Sequence, residues 1–414
     1  MASTKNRQSG RMVVSLAIAL AVVSLAGGTS RLFSQDLPGA REVGPGRLPP
    51  PKIQPPGGVP AEAGAAGPGD YAAGLVGSNV CRECHPGESA LHARSGHART
   101  LRPAGGTAIA RWLDGKTVKD PEIPDATWTY ALANGKLEVE HAQGGKFHCF
   151  PLDLAVGSGT NGMTLVSLRA GNFEGSSARG SEHRLSYLAN GKKMDVTPGQ
   201  GKDDRLSHRD EVTPLGRDLD QMALAKCLGC HATVTSRKHP SRLDRDELIP
   251  NVTCERCHGP GEKHVAAARR GAPESELTMV LGSSETPKSP VEQIMLCGQC
   301  HRNIDNVSPS LIDERNSEIA RFQPLGLELS SCFKQGKSGL SCMSCHDPHG
   351  RIDHDKARYD RVCQSCHTPS HRRSCPVSTT DGCVKCHMPR RTVSVVFEFT
   401  DHWIRVPKPD AGKR

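Results

Sequence analysis

Cys-x-x-Cys-His occurs seven times in this chain, at 81–85, 227–231, 254–258, 297–301, 342–346, 363–367 and 383–387, and takes fourteen of the seventeen cysteines. This is the attachment signature of a c-type haem. Two thiols bond to the haem vinyl groups, and the histidine that follows ligates the iron. The expected thiol pairs are Cys81 and Cys84, Cys227 and Cys230, Cys254 and Cys257, Cys297 and Cys300, Cys342 and Cys345, Cys363 and Cys366, and Cys383 and Cys386. The expected proximal ligands are His85, His231, His258, His301, His346, His367 and His387. Seven covalently bound haems c are therefore the expected cofactors.

Paired Cys-x-x-Cys segments also build zinc ribbons. A zinc site does not need a histidine directly after every second cysteine, yet all seven motifs have one. The motif spacings from Cys227 to Cys383 are 27, 43, 45, 21 and 20 residues, which is no single repeated zinc module. The N-terminus also reads as an export signal, and c-type haem is attached outside the cytoplasm.

That signal is Lys5, Arg7 and Arg11 followed by an apolar run from Met12 to Ala26. The run is shorter than the roughly 20 residues of a membrane span. It reads as a signal peptide cleaved after Ala26, or as an uncleaved anchor, within residues 1–35. Residues 36–75 are rich in Pro, Gly and Ala and read as a linker. The expected location is periplasmic or otherwise extracytoplasmic, soluble or tethered by the N-terminal segment.

Hydrophobic residues make up 36% of the chain and aromatics 4%, little from which to build a large core. Apolar macrocycles would supply the missing burial. The formal charge of +9 does not point to nucleic acid. Two propionates per haem more than offset it, and no nucleic-acid module accompanies the basic residues.

The first motif stands apart, with 141 residues between His85 and Cys227. That gap carries two Leu-Ala-Asn-Gly-Lys segments, at 132–136 and 188–192, each flanked by alternating residues as in a β-hairpin. The other six motifs are dense and punctuated by Gly and Pro, which suits short helices and loops. Val393 to Val406 reads as a strand or two near the last motif. The expected fold is a mainly α/irregular multihaem cytochrome c, packed around covalently bound haems, with a β-hairpin-containing insert in the N-terminal region. The expected division is a single-haem region with the β-rich insert at 76–220, a six-haem region at 221–406 and a tail at 407–414.

Distal ligands come from histidines outside the motifs. By local context the candidates are His97, His264, His349, His371 and His402, with His92 a weaker one. His183, His208, His239 and His354 are further possibilities for the remaining irons. A histidine a few residues past a proximal ligand cannot easily reach the opposite face of the same porphyrin, so it is expected to reach a neighbouring haem. Methionine ligation is not favoured. Of the three remaining cysteines, Cys332 and Cys375 are a candidate disulfide and Cys149 is left over.

VGSNVCRECH with the trailing SGHA resembles the N-terminal haem motif of the multihaem c-554-type cytochromes, the cytochrome c-552/4 domain family. TCERCHGPGEKHV, LSCMSCHDPHG and CVKCHMPRR with FTDHWIRV resemble further stretches of such proteins. The resemblance extends over most of 76–406 and is specific around the motifs. It implies a periplasmic electron carrier with closely stacked haems. Seven motifs and the long β-bearing gap depart from the tetrahaem members, one of which has a five-coordinate haem.

Three functions remain open. A carrier would exchange electrons with other redox proteins as donor and acceptor, including a membrane-bound respiratory complex. An oxidoreductase would act on a small nitrogen or sulfur compound at one five-coordinate haem. No CxxCK variant is present, so a lysine-ligated active haem is not evident. The linker would suit a structural subunit tethered in a larger respiratory complex, whereas a haem-based sensor would need a signalling module that the sequence does not display.

Overall fold

The computed structural model describes residues 70–170, 177–202, 212–279, 289–335, 339–368, 375–378, 381–394 and 397–406. The expected signal or anchor, the linker up to residue 69, the tail 407–414, His208 and His371 lie outside the described residues. The last linker residues are packed: Ala72 is buried and Tyr71 N donates to Arg237 O at 2.7 Å.

Residues Thr117–Lys119, Thr127–Ala133, Lys136–Gln143 and Lys146–Leu152 form a four-stranded antiparallel meander. Asn134 and Gly135 close its central hairpin with φ of 51° and 75°, the left-handed pair that a tight hairpin turn needs. Alternation then buries Trp128 and Tyr130 on one strand and Leu137, Val139 and His141 on the next. These side chains share a core with Leu113, Leu152, Leu165 and Leu185. The second Asn-Gly hairpin also forms, pairing Leu185–Leu188 with Lys193–Val196.

A nine-stranded sheet lies alongside in sequence. Its main path runs Leu101–Pro103, Leu154–Val156, Gly162–Ala170, Ser177–His183, Gly216–Leu219 and Val212–Thr213, all neighbours antiparallel. The helix Gln221–Leu228 starts at Asp220, whose side chain caps Ala223 N at 2.7 Å. Leu224 and Leu228 of that helix pack with Leu101, Val166 and Leu243 in a second core. The sheet thereby positions the second attachment motif, which begins at the end of this helix.

Beyond residue 250 the described elements are short helices, the longest being Pro290–His301, and small hairpins such as Arg390–Val393 with Phe397–Thr400. Among the described residues there, one apolar cluster forms, centred on Val307, Ile319, Phe322 and Leu325. Among the described residues no helix is long and apolar enough to cross a membrane.

The expectation of a mainly α/irregular chain is overturned. Among the described residues strands account for 25% and helices for 34%, with several sheets. The reason is energetic. The gap after the first motif holds enough buried Leu, Trp and Tyr to build side-chain cores of its own, so it folds as sheets and not as hairpins attached to a helical body.

Candidate haem-iron centres

Each motif sits in or beside a short helical segment. The backbone N–H of His85, His346 and His367 donates to the carbonyl four residues earlier, that of Cys81, Cys342 and Cys363, each at 2.9 Å. One turn therefore gathers two thiols and an imidazole on a single face, since residues three and four apart are helix neighbours. The fourth motif ends the helix Pro290–His301. Ser289 and Glu292 form a reciprocal capping box at its start, with Pro290 pre-set at the first position.

Two buried carboxylates hold motif segments together. Glu255, inside the third motif, accepts Val76 N and Gly77 N at 2.8 Å and Gly261 N at 2.9 Å. Asp360 accepts Gly382 N at 2.8 Å and Val384 N at 2.9 Å, anchoring the start of the seventh motif. Neither was foreseen from the sequence. Glu255 occupies a variable position of the motif, and nothing local distinguishes it from a surface acid.

Four motif histidines face a second histidine. The ring centres are 6.2 Å apart for His85 and His264, 6.2 Å for His301 and His97, 6.0 Å for His258 and His349, and 6.1 Å for His346 and His402. An imidazole nitrogen sits about 2 Å from a bound metal ion, so two rings on opposite sides of one ion have centres about 6 Å apart. All four pairs meet that separation. No pair joins a motif to the histidine nearest it in sequence. His264 follows the third motif and faces the first; His349 follows the fifth and faces the third; His97 follows the first and faces the fourth; His402 follows the seventh and faces the fifth.

The far side of these rings is oriented as well. Nδ1 lies 3.4 Å from Pro348 O in His97, 3.1 Å from Leu277 O in His264 and 2.9 Å from Thr400 O in His402. In His349 it is 3.9 Å from Asp347 Oδ1, beyond hydrogen-bond length. An Nδ1–H committed to an oxygen leaves Nε2 as the ligating atom. His387 shows the same device, with Nδ1 at 2.9 Å from Arg405 O.

Burial also favours the uncharged ring at four of these candidate ligands. It pushes His402 down to about 4 and lowers His231, His301 and His346 from the ordinary imidazole value. Only the neutral ring can ligate. Pairs of imidazoles at this separation would suit an iron carried by haem. A structural zinc takes four ligands at tetrahedral corners, and among the described residues no three His, Cys, Asp or Glu groups converge on such a point.

Other candidates are placed elsewhere. His92 spends Nε2 on Val252 O at 2.9 Å and faces no motif histidine. His183 is fully buried in the sheet region, with Nε2 at 3.0 Å from Tyr130 OH and Nδ1 accepting Leu185 N at 2.8 Å, so neither nitrogen is left for a metal. Cys332 and Cys375 are not joined. Cys332 lies near Cys345 and Cys363, and Cys375 lies near Cys383, which itself meets Cys363.

The cytochrome c554 and c-prime family matches residues 198–259, the stretch that contains the second and third motifs. Over this stretch the chain is similar to c-type cytochromes, in keeping with its Cys-x-x-Cys-His motifs. The likeness to c-554-type multihaem cytochromes that the motifs carry is thus seen in the family match too. The chain matches no curated protein. It is similar to a solved structure titled Crystal Structure of Outer Cell Wall Cytochrome OcwA, with 14% identity, 80% of each chain covered and a TM-score of 0.40.

Proposed function

We propose that this chain is a c-type cytochrome that binds seven haems and carries electrons between redox proteins outside the cytoplasm. The motif cysteines would attach the haems and the seven motif histidines would ligate from one side. His264, His349, His97 and His402 would ligate from the other side at the first, third, fourth and fifth motifs. The observation that carries this reading is the set of four histidine pairs with ring centres 6.0–6.2 Å apart. An iron with two strong protein ligands exchanges electrons without binding a substrate, and bis-histidine ligation favours comparatively low potentials. The partners would be a donor and an acceptor protein, one of them a membrane-bound respiratory complex. The basic residues would serve propionates and partner docking, not nucleic acid.

The test is a haem count with electron paramagnetic resonance of the fully oxidised holoprotein. Seven haems per chain, with at least four low-spin ferric signals, is the expected result. Fewer than seven haems would refute the count. A stoichiometric high-spin haem that changes on adding nitrite, hydroxylamine or cyanide would replace the carrier with an oxidoreductase acting on a small nitrogen or sulfur compound.

A further inference from the structure

The attachment motifs touch one another in an order different from their order in the sequence. The first meets the third, where Cys254 Sγ lies 3.5 Å from Ser78 Oγ and Glu255 holds Val76 and Gly77. The third meets the fourth, where Arg256 Nη1 donates to Gln299 Oε1 at 3.2 Å. The second joins at the same place: Cys230 Sγ is 3.9 Å from Gln299 O, and Arg256 Nη2 is 3.5 Å from Gly229 O.

From there the contacts run one way. The fourth meets the fifth through Met343 N, which donates to Gln293 Oε1 at 3.3 Å. The fifth meets the sixth through Tyr359, one turn before Cys363, whose ring centre is 5.7 Å from that of His346. The sixth meets the seventh through Asp360, which accepts Gly382 N and Val384 N.

Exposure follows the same order. An exposed cysteine occurs in the first, second, sixth and seventh motifs, at Cys84, Cys227, Cys366 and Cys386. The third, fourth and fifth motifs have none; all six of their cysteines are half-buried. The motifs at the middle of the contact series are thus also the ones most covered by protein.

We infer that the seven attachment sites form one forked thread, running first, third, fourth, fifth, sixth, seventh, with the second joined beside the third and fourth. Redox partners meet the cytochrome at the outer motifs, the first and second at one end and the sixth and seventh at the other. The inference rests on the reading that every motif carries a haem. Transfer along the thread is a one-electron exchange in which one iron is oxidised as its neighbour is reduced. The external donor and acceptor proteins supply and remove the electron, and no bond is made or broken.

The test uses seven full-length holoprotein variants, each lacking one haem through Ala at both of its cysteines, such as Cys297→Ala with Cys300→Ala. Redox titration followed by paramagnetic resonance reads which remaining potentials move, because charge acts most strongly on its nearest neighbours. Loss of the fourth haem is expected to shift those at the second, third and fifth motifs most. Loss of the first should shift chiefly the third. Shifts that follow sequence order, with the first disturbing the second, overturn the thread. If a deletion variant fails to accumulate, His264→Met and His402→Met retain all seven haems and alter one each. Their secondary shifts should fall on the third motif for His264→Met, and on the fourth and sixth for His402→Met. Secondary shifts at other motifs count against the thread. A wild-type count below seven sinks the underlying reading, whereas seven haems with a different neighbour pattern sinks the thread alone.

Discussion

A ligating histidine must be both neutral and aimed, and at the proposed ligands of this chain different atoms would secure the two conditions. Burial removes the charge, and a carbonyl at Nδ1 sets the direction, as at His402. Exchange of His402 for Met is expected to raise the potential of one haem and leave a full complement attached, as a redox titration would read. Loss of the Glu255 carboxylate would strip three backbone N–H groups of their acceptor. The variant Glu255→Ala is expected to lose about 3 kcal/mol in denaturant unfolding, since hydrogen bonds to charged groups are worth about 1.5–3 kcal/mol each and partial rehydration offsets some of that. His183 gives a pH dependence. Burial holds it at about 3, far below the unfolded value near 6.5. Above pH 6.5 neither state binds the proton. As pH falls from 6.5 toward 3, the unfolded chain takes up a proton that the folded chain refuses, so stability is lost. At pH 5 the loss is about 2 kcal/mol, and His183→Gln should remove it when urea unfolding is compared at pH 7 and 5. The sequence made His97, His264, His349 and His402 readable as ligand candidates because each follows a motif closely. Which motif each faces was not readable, because the opposing ring comes from a distant segment. His92 shares the context of His97, yet a backbone carbonyl from residue 252 takes its Nε2.

Among the elements, turn chemistry was the legible part. Both Asn-Gly segments close hairpins, with left-handed backbone at Asn134 and Gly135 in the first and at Gly191 and Lys192 in the second. The strand Ser177–His183 shows the opposite case. Its sequence, SARGSEH, has no apolar alternation, yet it pairs with three strands of the nine-stranded sheet. Gly180 within it allows close approach, since a Cβ there would lie 3.1 Å from Ser167 O. Such a strand is specified by its neighbours and not by its own pattern. Gly105 sets a similar condition for the meander. A Cβ at this position would fall 1.9 Å from Gly135 O, at the tip of the first hairpin. Gly105→Ala is therefore expected to displace that hairpin and to cost about 1–3 kcal/mol. Hydrogen exchange should show the loss first in Thr127–Ala133 and Lys136–Gln143.

At the scale of the molecule, apolar material is unevenly shared. Two side-chain cores serve the sheets, while the described residues beyond 250 hold a single small cluster. A chain produced without haem attachment should keep exchange-protected amides in strands such as Lys136–Gln143 and Gly162–Ala170. The segment 254–406 should lose protection almost entirely, because macrocycles are its missing interior. Uniform protection across both parts would refute that division. The low hydrophobic content read from the sequence thus describes the second part well and the first part poorly, which is why the extent of the sheets was underestimated.

The crossed histidine pairs also bear on how such a chain is made. Each pair closes a loop between segments that leave the ribosome at different times. The ring opposite the first motif arrives only with residue 264, the ring opposite the fourth has been waiting since residue 97, and the fifth stays half-held until residue 402 emerges. The first, third and fifth motifs wait for a later segment while the fourth finds its partner already made, so the motifs are not completed in their sequence order and maturation resembles lacing more than beading. A chain interrupted shortly before its C-terminus would lose a knot near its middle.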